Sequence, residues 1–343
     1  MLAMLISHSA WWIEGLTYRV AYGWDNLIVP AMDKPQSVVG LILQMASPTF
    51  FLLAGIGMAL LVASRQRRGD DASITRYFLV RGALLIGLDL LAMNVTLIPL
   101  AYYTRLSVLT TMGLALWAMA LLRRLPSRAL LALALGLLLF TQTFYALAGI
   151  PQDDLFLRAL LLAPKVTDAW SVEFPLLAWM PVVLLGFVIG RQIKRPDFSL
   201  HRLSASVGMI LISAAGLVIL LNGFGNLYTE RRIILGKHPP DFAYLALYTG
   251  IALLLIAFHT RFPTLTAHWL LRWVAALGQA ALVFYVLHVK VLEALAWALA
   301  PLELPPAGLS LLLVTMTLAL LLPVCVVYRH AKRLYPHSPL QYL

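Results

Sequence analysis

Nine long apolar runs constrain what this chain can fold into more than any other feature. A helix needs about 20 mostly apolar residues to cross a bilayer. The runs cover residues 38–63, 77–99, 105–122, 129–149, 174–190, 203–222, 242–260, 270–298 and 307–328. Hydrophobic residues make up 61% of the chain and charged residues 12%, whereas soluble proteins have roughly 45–50% and about 25%. The sequence therefore predicts a polytopic all-α membrane protein and excludes a soluble or nucleic-acid-binding domain.

A tenth apolar run, residues 1–12, is too short to span a membrane. It lacks the basic start and the small-residue cleavage site of a signal peptide. We interpret it as the outer part of a first helix that begins before Met1. The expected fold is thus a transmembrane bundle of about ten helices, forming one integral membrane domain over residues 1–343.

The loops between the runs alternate in charge along the whole chain. One set holds 16 basic residues and three acids, and the other holds eight basic residues and ten acids. Basic loops remain in the cytoplasm. An even number of helices then places both termini in the cytoplasm.

Motifs for several other chemistries are absent from the sequence. There is no phosphate-binding glycine loop, no H-E-x-x-H zinc motif and no G-x-S-x-G nucleophile motif. The single cysteine, Cys325, excludes a disulfide framework and cysteine-based metal sites. ATP-driven transport and zinc-dependent hydrolysis are therefore unsupported, and no metal is expected.

Six ionisable residues lie inside apolar runs, where charge is costly and function is the default hypothesis. They are His8, Arg81, Asp89, His288, Lys290 and Glu293. Lys290 and Glu293 are three residues apart, so an ion pair on one helix face is expected. Each of the other four has a structural alternative: a snorkelling anchor for Arg81, a partner such as Asn94 for Asp89, and a buried core residue for each histidine.

Several segments together resemble one family. The segments are SPTFFLLAG (47–55), YFLVRG (77–82), FPLLAW (174–179), KHPP (237–240), the stretch 277–288 that ends in VFYVLH, and the C-terminal YPHSPLQYL (335–343). In this order they resemble the bacterial relatives of heparan-α-glucosaminide N-acetyltransferase. The resemblance implies a transmembrane acyltransferase of the bacterial inner membrane. Its donor would be cytosolic acetyl-CoA and its acceptor a carbohydrate amine or hydroxyl on the far side.

This resemblance assigns expected roles to the costly residues. His8 is our candidate for the base, or for a transient acyl carrier, and His288 is the second candidate. Asp89 is the third catalytic candidate and would line a polar path for the pantetheine arm of coenzyme A. Arg81, with Arg76 and Arg68, would bind the phosphates, because guanidinium groups match phosphate geometry. The positive-inside rule alone also explains the exposed arginines.

Two other functions remain open at this stage. A proton-coupled secondary transporter or permease for a glycan or lipid precursor would use Asp89, His288 and Glu293 as a relay. A non-catalytic membrane partner is the third interpretation. The sequence leaves the oligomeric state open, a homodimer included.

Overall fold

A computed structural model describes residues 1–9, 43–94, 104–148, 153–193, 195, 197–222, 237–266, 268–302, 304–335 and 338–342. In chain order its main elements are α1 (2–9), α2 (Ala46–Gln66), α3 (Asp71–Leu88), β1 (Thr104–Leu106), α4 (Val108–Leu122), α5 (Ser127–Ala148), α6 (Phe156–Leu161), β2 (Lys165–Val166), β3 (Trp170–Val172), α7 (Leu176–Gln192), α8 (Leu200–Asn222), α9 (Phe242–Arg261), α10 (Trp269–Gln279), α11 (Ala281–Leu299) and α12 (Pro306–Leu334). One short helical turn, Pro263–Thr266, and two 3-10 turns, Ala300–Leu302 and Pro339–Tyr342, are also present. A π-helical turn, Asp89–Met93, follows α3. The all-α prediction is confirmed.

Six of the helices are long and apolar enough to cross a membrane within the described ranges: α2, α5, α8, α9, α11 and α12. Two further predicted runs appear as the shorter apolar helices α4 and α7. The run predicted for 270–298 is divided at Ala280, where the backbone leaves the helical conformation between α10 and α11. The predicted run ends at 10–12, 38–42 and 95–99 lie outside the described residues.

The chain forms two compact units that alternate along the sequence. The large unit comprises residues 47–90 and 103–263, and the small unit comprises 1–46, 91–102 and 264–343. No single cut of the sequence separates them. The single domain over residues 1–343 stays a prediction.

The large unit consists of packed helix pairs joined by short loops. Helix α3 packs on α4, α5 on α7, and α8 on α9. Helices α2 and α7 approach backbone to backbone, because a Cβ added to Gly55 would lie 2.1 Å from the carbonyl oxygen of Val183. Small residues at such crossings are typical of membrane helices.

Arginines at several helix ends of the large unit meet at one face. Arg123, at the end of α4, is buried and contacts Asp71 at the start of α3 at 3.1 Å. Arg191, near the end of α7, donates to the main-chain carbonyls of Arg123 and Leu125. The helix ends that the charge pattern assigned to one side of the membrane thus lie together in the large unit.

A three-stranded sheet occupies the opposite end of the large unit. Strand β3 lies in the middle, parallel to β1 and antiparallel to β2. Leu106 and Val172 from the sheet pack with Ala159 of α6 in a small apolar cluster. The sheet fixes the positions of Glu173 and Phe174, which follow β3 directly.

The small unit contains α1, α10, α11 and α12. Helix α12 packs against both α10 and α11. Helix α10 has 11 residues, too few to span a bilayer on its own. The unit therefore holds two long apolar helices together with the short N-terminal helix α1.

Candidate functional site

Two histidines, 280 residues apart in the sequence, meet in the small unit. The Nδ1 atom of His8 lies 2.8 Å from the Nε2 atom of His288, and the two ring planes differ by 15°. His288 lies seven residues into α11 and is fully buried, whereas His8 on α1 is partly exposed. The two residues named as candidate base and second candidate thus form one hydrogen-bonded pair.

The surroundings of His288 are largely apolar. Its Nδ1 atom lies 3.0 Å from the main-chain carbonyl oxygen of Phe284, one turn earlier on α11. The Phe284 ring lies parallel to the imidazole, with centroids 5.5 Å apart, and the Tyr285 ring meets it edge-on. The His288 ring is therefore held by both of its nitrogens and by two aromatic neighbours.

A serine pair fixes α1 beside the histidines. The hydroxyl of Ser9 lies 2.8 Å from the hydroxyl of Ser310 on α12 and also donates to the carbonyl of Ile6. Ser9 is fully buried. Because consecutive residues of α1 contact α11 and α12, the position of His8 is set by two hydrogen bonds to other helices.

Lys290 and Glu293 form the predicted ion pair on α11. The Lys290 Nζ atom lies 3.8 Å from a Glu293 carboxylate oxygen. Glu293 is fully buried, and 23% of the lysine side chain is exposed. A buried carboxylate inside a membrane helix is costly unless paired, which gives the lysine a structural role.

Asp89 caps the start of α4 in the large unit. Its carboxylate accepts hydrogen bonds from the main-chain N–H and the hydroxyl of Ser107, at 2.7 and 2.6 Å. It accepts two more from the N–H and hydroxyl of Thr110, at 3.0 and 2.6 Å. A carboxylate at this place satisfies main-chain donors that a helix start leaves open and complements the helix dipole.

Asp89 lies where α3 ends and the π-helical turn begins. Helix α3 begins at Asp71, six residues earlier than the predicted run at 77. At 1.5 Å per residue, Asp89 lies about 27 Å along the helix from Asp71. Asp89 is thus at the end of α3 that is farthest from Asp71 and next to the start of α4.

The arginines proposed for phosphate binding are placed differently from one another. The guanidinium of Arg81 donates to the Tyr77 hydroxyl at 2.8 Å. The guanidinium of Arg65 lies over the same ring, 4.5 Å from its centroid. Arg68 and Arg76 are exposed. Thus Arg81 comes together with Arg65 around Tyr77, a grouping called the Tyr77 cluster below.

A second group of charges lies beside the sheet, at the opposite end of the large unit. Arg105 pairs with Glu173 through two contacts of 2.6 and 2.9 Å. The His238 Nδ1–H donates to the carbonyl of Glu173 at 2.8 Å. The Lys237 ammonium lies 5.1 Å from the centroid of the Phe174 ring. These four ionisable residues are called the loop cluster below.

Burial and mutual charge shift the pKa values in the loop cluster. Burial lowers the pKa of Lys237 to about 8, against the attraction of Glu173. Burial and the charge of Lys237 lower the pKa of His238 to about 4, so this imidazole is neutral at neutral pH. Burial alone would raise the pKa of Glu173, yet the charge of Arg105 and its hydrogen bond hold it below 4.5.

Lys237 and His238 both lie in the KHPP segment cited for the resemblance, whereas nothing in the sequence pointed to Arg105 or Glu173. The signal was faint, because Arg105 lies in the three-residue strand β1 and Glu173 lies in a loop, where charged residues are ordinary. Among the described residues, no group of three His, Cys, Asp or Glu side chains is placed to hold a metal ion.

Comparison with known protein families indicates which reaction the chain catalyses. The profile of an acyltransferase domain matches residues 106–329, more than half of the chain. The matched range includes His288 and three residues of the loop cluster, Glu173, Lys237 and His238, and it begins just after Arg105. A comparison with curated proteins gives no match. The chain therefore belongs to the acyltransferase-domain family, which makes it a membrane acyltransferase with several spanning helices.

Proposed function

We propose that this protein moves an acetyl group from cytosolic acetyl-CoA to a hydroxyl or amine of a carbohydrate on the extracytoplasmic side. The expected location is the bacterial inner membrane, with both termini in the cytoplasm. The observation that carries the proposal is the hydrogen-bonded pair of His8 and His288. An imidazole titrates near neutral pH and is the commonest general base.

The chemistry needs one group that first takes and then returns a proton. The acceptor oxygen or nitrogen attacks the thioester carbonyl carbon while its proton goes to an imidazole of the pair. The new C–O or C–N bond forms, the C–S bond breaks, and the thiolate of coenzyme A receives the proton. A transient acyl group on His8 gives the same products in two steps. The partly exposed His8 is the ring that a substrate can reach.

The Tyr77 cluster supports the donor side of the proposal. Two guanidinium groups around one tyrosine ring offer several donors to the phosphates of coenzyme A. Helix α2 ends and helix α3 begins at an arginine-rich loop that the charge pattern assigns to the cytoplasm. Acetyl-CoA is available there, and its charged phosphates cannot enter the bilayer cheaply.

The acceptor is proposed from the resemblance to relatives of heparan-α-glucosaminide N-acetyltransferase. Three of the six segments that carry this resemblance, 174–179, 237–240 and 277–288, lie within the matched acyltransferase range. Heparan sulfate itself is the substrate of the animal enzyme. A cell-envelope sugar is our proposed acceptor class here.

No observation favours the transporter alternative over acyl transfer. Its relay would need Asp89, His288 and Glu293 to exchange protons. Asp89 accepts four hydrogen bonds at a helix start, and Glu293 faces Lys290. Both arrangements favour the structural interpretation of these carboxylates.

The test combines acetyl-CoA binding with acetyl transfer in purified protein. We expect saturable binding of radiolabelled acetyl-CoA that unlabelled coenzyme A displaces. His8→Ala should bind acetyl-CoA normally but lose transfer to a pool of envelope glycans, by about 10²–10⁴-fold for loss of a general base. Arg81→Ala should weaken donor binding without changing acceptor dependence.

Two matched controls separate function from folding. Ser7→Ala changes the exposed neighbour of His8, and Arg202→Ala removes an exposed arginine of the same loop set outside the Tyr77 cluster. Both should behave as the wild type. Absence of acetyl-CoA binding by the well-folded wild type would overturn the proposal. Unchanged transfer in His8→Ala would remove His8 from the mechanism.

A further inference from the structure

We infer that His288 is a positioning residue that fixes the tautomer of His8, so that the basic atom of the pair is the Nε2 atom of His8. The catalytic meaning of this inference rests on the proposed function. The tautomer itself follows from the hydrogen bonds of the pair, and it can be measured without any turnover.

The first step is the hydrogen bond between His288 and the main chain. A carbonyl oxygen can only accept a hydrogen bond. The Nδ1 atom of His288, 3.0 Å from the Phe284 carbonyl oxygen, must therefore carry the proton. A neutral imidazole carries one N–H, so its Nε2 atom holds a lone pair.

The second step passes this constraint to the other ring. The lone pair on Nε2 of His288 accepts from Nδ1 of His8, 2.8 Å away. The neutral His8 ring then carries its proton on Nδ1, and its own Nε2 atom holds the lone pair. Each ring thus sets the tautomer of the next, beginning from a main-chain carbonyl.

A charged His288 would reverse the second step, since both of its nitrogens would then donate. Its ring is fully buried, and its described contacts include His8, the Phe284 carbonyl, the Tyr285 main chain and two aromatic rings. None of these contacts is a carboxylate. Burying an unpaired charge among such neighbours is strongly unfavourable, so the site favours the neutral form.

The arrangement resembles the orienting residue of a catalytic triad, with a neutral imidazole in place of the carboxylate. A carboxylate buried here would need a cation beside it, whereas a neutral ring that is hydrogen-bonded at both nitrogens needs none. When the Nε2 atom of His8 takes the acceptor proton, its Nδ1–H still donates to His288. His8 keeps its orientation while it is charged and can return the proton to the thiolate.

The direct test is ¹⁵N NMR of histidine-labelled protein in lipid bilayers at neutral pH. The His8 signals are assigned by their loss in His8→Gln. We expect a protonated Nδ1 and an unprotonated Nε2 for His8 in the otherwise unmodified protein. The opposite pattern, with the proton on Nε2, would overturn the inference whatever the activity.

Two substitutions of His288 provide a kinetic test. In His288→Gln the side-chain oxygen can replace Nε2 as the acceptor for His8. In His288→Asn the shorter amide can replace only the Nδ1–H that donates to Phe284. We expect His288→Gln to keep kcat within about tenfold and His288→Asn to lose about 10²–10⁴-fold, with the KM for acetyl-CoA unchanged in both.

The outcomes distinguish this inference from the proposed function. The expected tautomer in a protein that neither binds nor uses acetyl-CoA would keep the hydrogen-bond assignment and overturn the acyltransfer proposal. Acetyl transfer with equal kcat for the Gln and Asn variants would keep the function and overturn the positioning role of His288.

Discussion

At the scale of single residues, the loop cluster shows how burial sets charge in this protein. His238 donates to a main-chain carbonyl, lies beside the Phe174 ring, and has its pKa lowered to about 4 by burial and by the charge of Lys237. In the unfolded chain the same group titrates near 6.5. Unfolding therefore takes up a proton between these two values.

This difference predicts how the stability of the large unit depends on pH. Because the unfolded state binds more protons between pH 6.5 and 4, the contribution of His238 to stability is complete above pH 6.5 and falls as the pH is lowered. His238→Asn keeps a donor for the Glu173 carbonyl but cannot titrate. We expect its melting temperature to change less than that of the wild type between pH 6.5 and 5, a range above the titration of Glu173.

Thermal unfolding in detergent, followed at several pH values, measures this effect. His330→Asn, at an exposed histidine of α12, is the control and should keep the wild-type slope. An equal slope in His238→Asn and wild type would show that His238 does not contribute to the acid sensitivity.

Single residues also show what the sequence could reveal of the candidate site. His8 and His288 were predictable as functional candidates, because each interrupts an apolar run. Their pairing was not predictable, since a separation of 280 residues carries no information about contact. The capping role of Asp89 was not predictable for a related reason: its hydrogen-bond partners Ser107 and Thr110 lie 18 and 21 residues away in the sequence.

At the scale of helices, the hydrogen bonds of Asp89 predict a structural effect on α4. A typical N-cap is worth about 1 kcal/mol. Asp89→Ala would also leave buried donors without an acceptor, raising the expected loss to roughly 3–5 kcal/mol. Asp89→Asn, which keeps one oxygen, should fall between Ala and wild type in melting temperature.

Asp197→Ala, at an exposed aspartate, is the control and should melt as the wild type does. Acetyl-CoA binding per folded molecule should be normal in Asp89→Asn. A variant with wild-type melting temperature but no transfer would instead restore Asp89 to the catalytic interpretation.

The crossing of α2 and α7 gives a second prediction at this scale. A Cβ added to Gly186 would lie 2.2 Å from the carbonyl oxygen of Leu52, whereas one added to Gly57 would meet nothing within 4 Å. Backbone atoms cannot move aside cheaply, so Gly186→Ala should cost about 2 kcal/mol or more. Gly57→Ala should be neutral or slightly stabilising, because alanine has a higher helix propensity than glycine.

Melting temperatures of the two variants, measured side by side, test this prediction. Equal values would show that the two helices can move apart without loss of stability.

Helices were the most predictable level of this fold. Long apolar runs are easily recognised, and α5, α8, α9 and α12 follow their predicted runs closely. The break at Ala280 was not predictable, because no proline interrupts the run and single residues such as Gly278 and Gln279 are tolerated within helices. The early start of α3 was missed because its first turn, beginning at Asp71, is polar.

At the scale of the whole molecule, the charge pattern and the large unit agree on which helix ends belong together. The loop set with 16 basic residues and three acids includes Arg65, Arg123 and Arg191. The structure joins the helix ends that carry them through Ser73, Asp71 and main-chain carbonyls. The orientation of that face toward the cytoplasm is the remaining prediction, and the proposed donor site depends on it.

Cysteine accessibility tests this orientation. Cys325 is the only cysteine and is buried, so Cys325→Ala provides a silent background. Arg68→Cys and Asp154→Cys introduce thiols at exposed positions on the two predicted sides of the membrane.

In spheroplasts of the expression host, a membrane-impermeant maleimide should label Asp154→Cys at once and Arg68→Cys only after permeabilisation. The reverse pattern would mean that the protein has the opposite orientation in the membrane, with the Tyr77 cluster on the side that lacks acetyl-CoA. Labelling of both positions from outside would contradict a membrane between them.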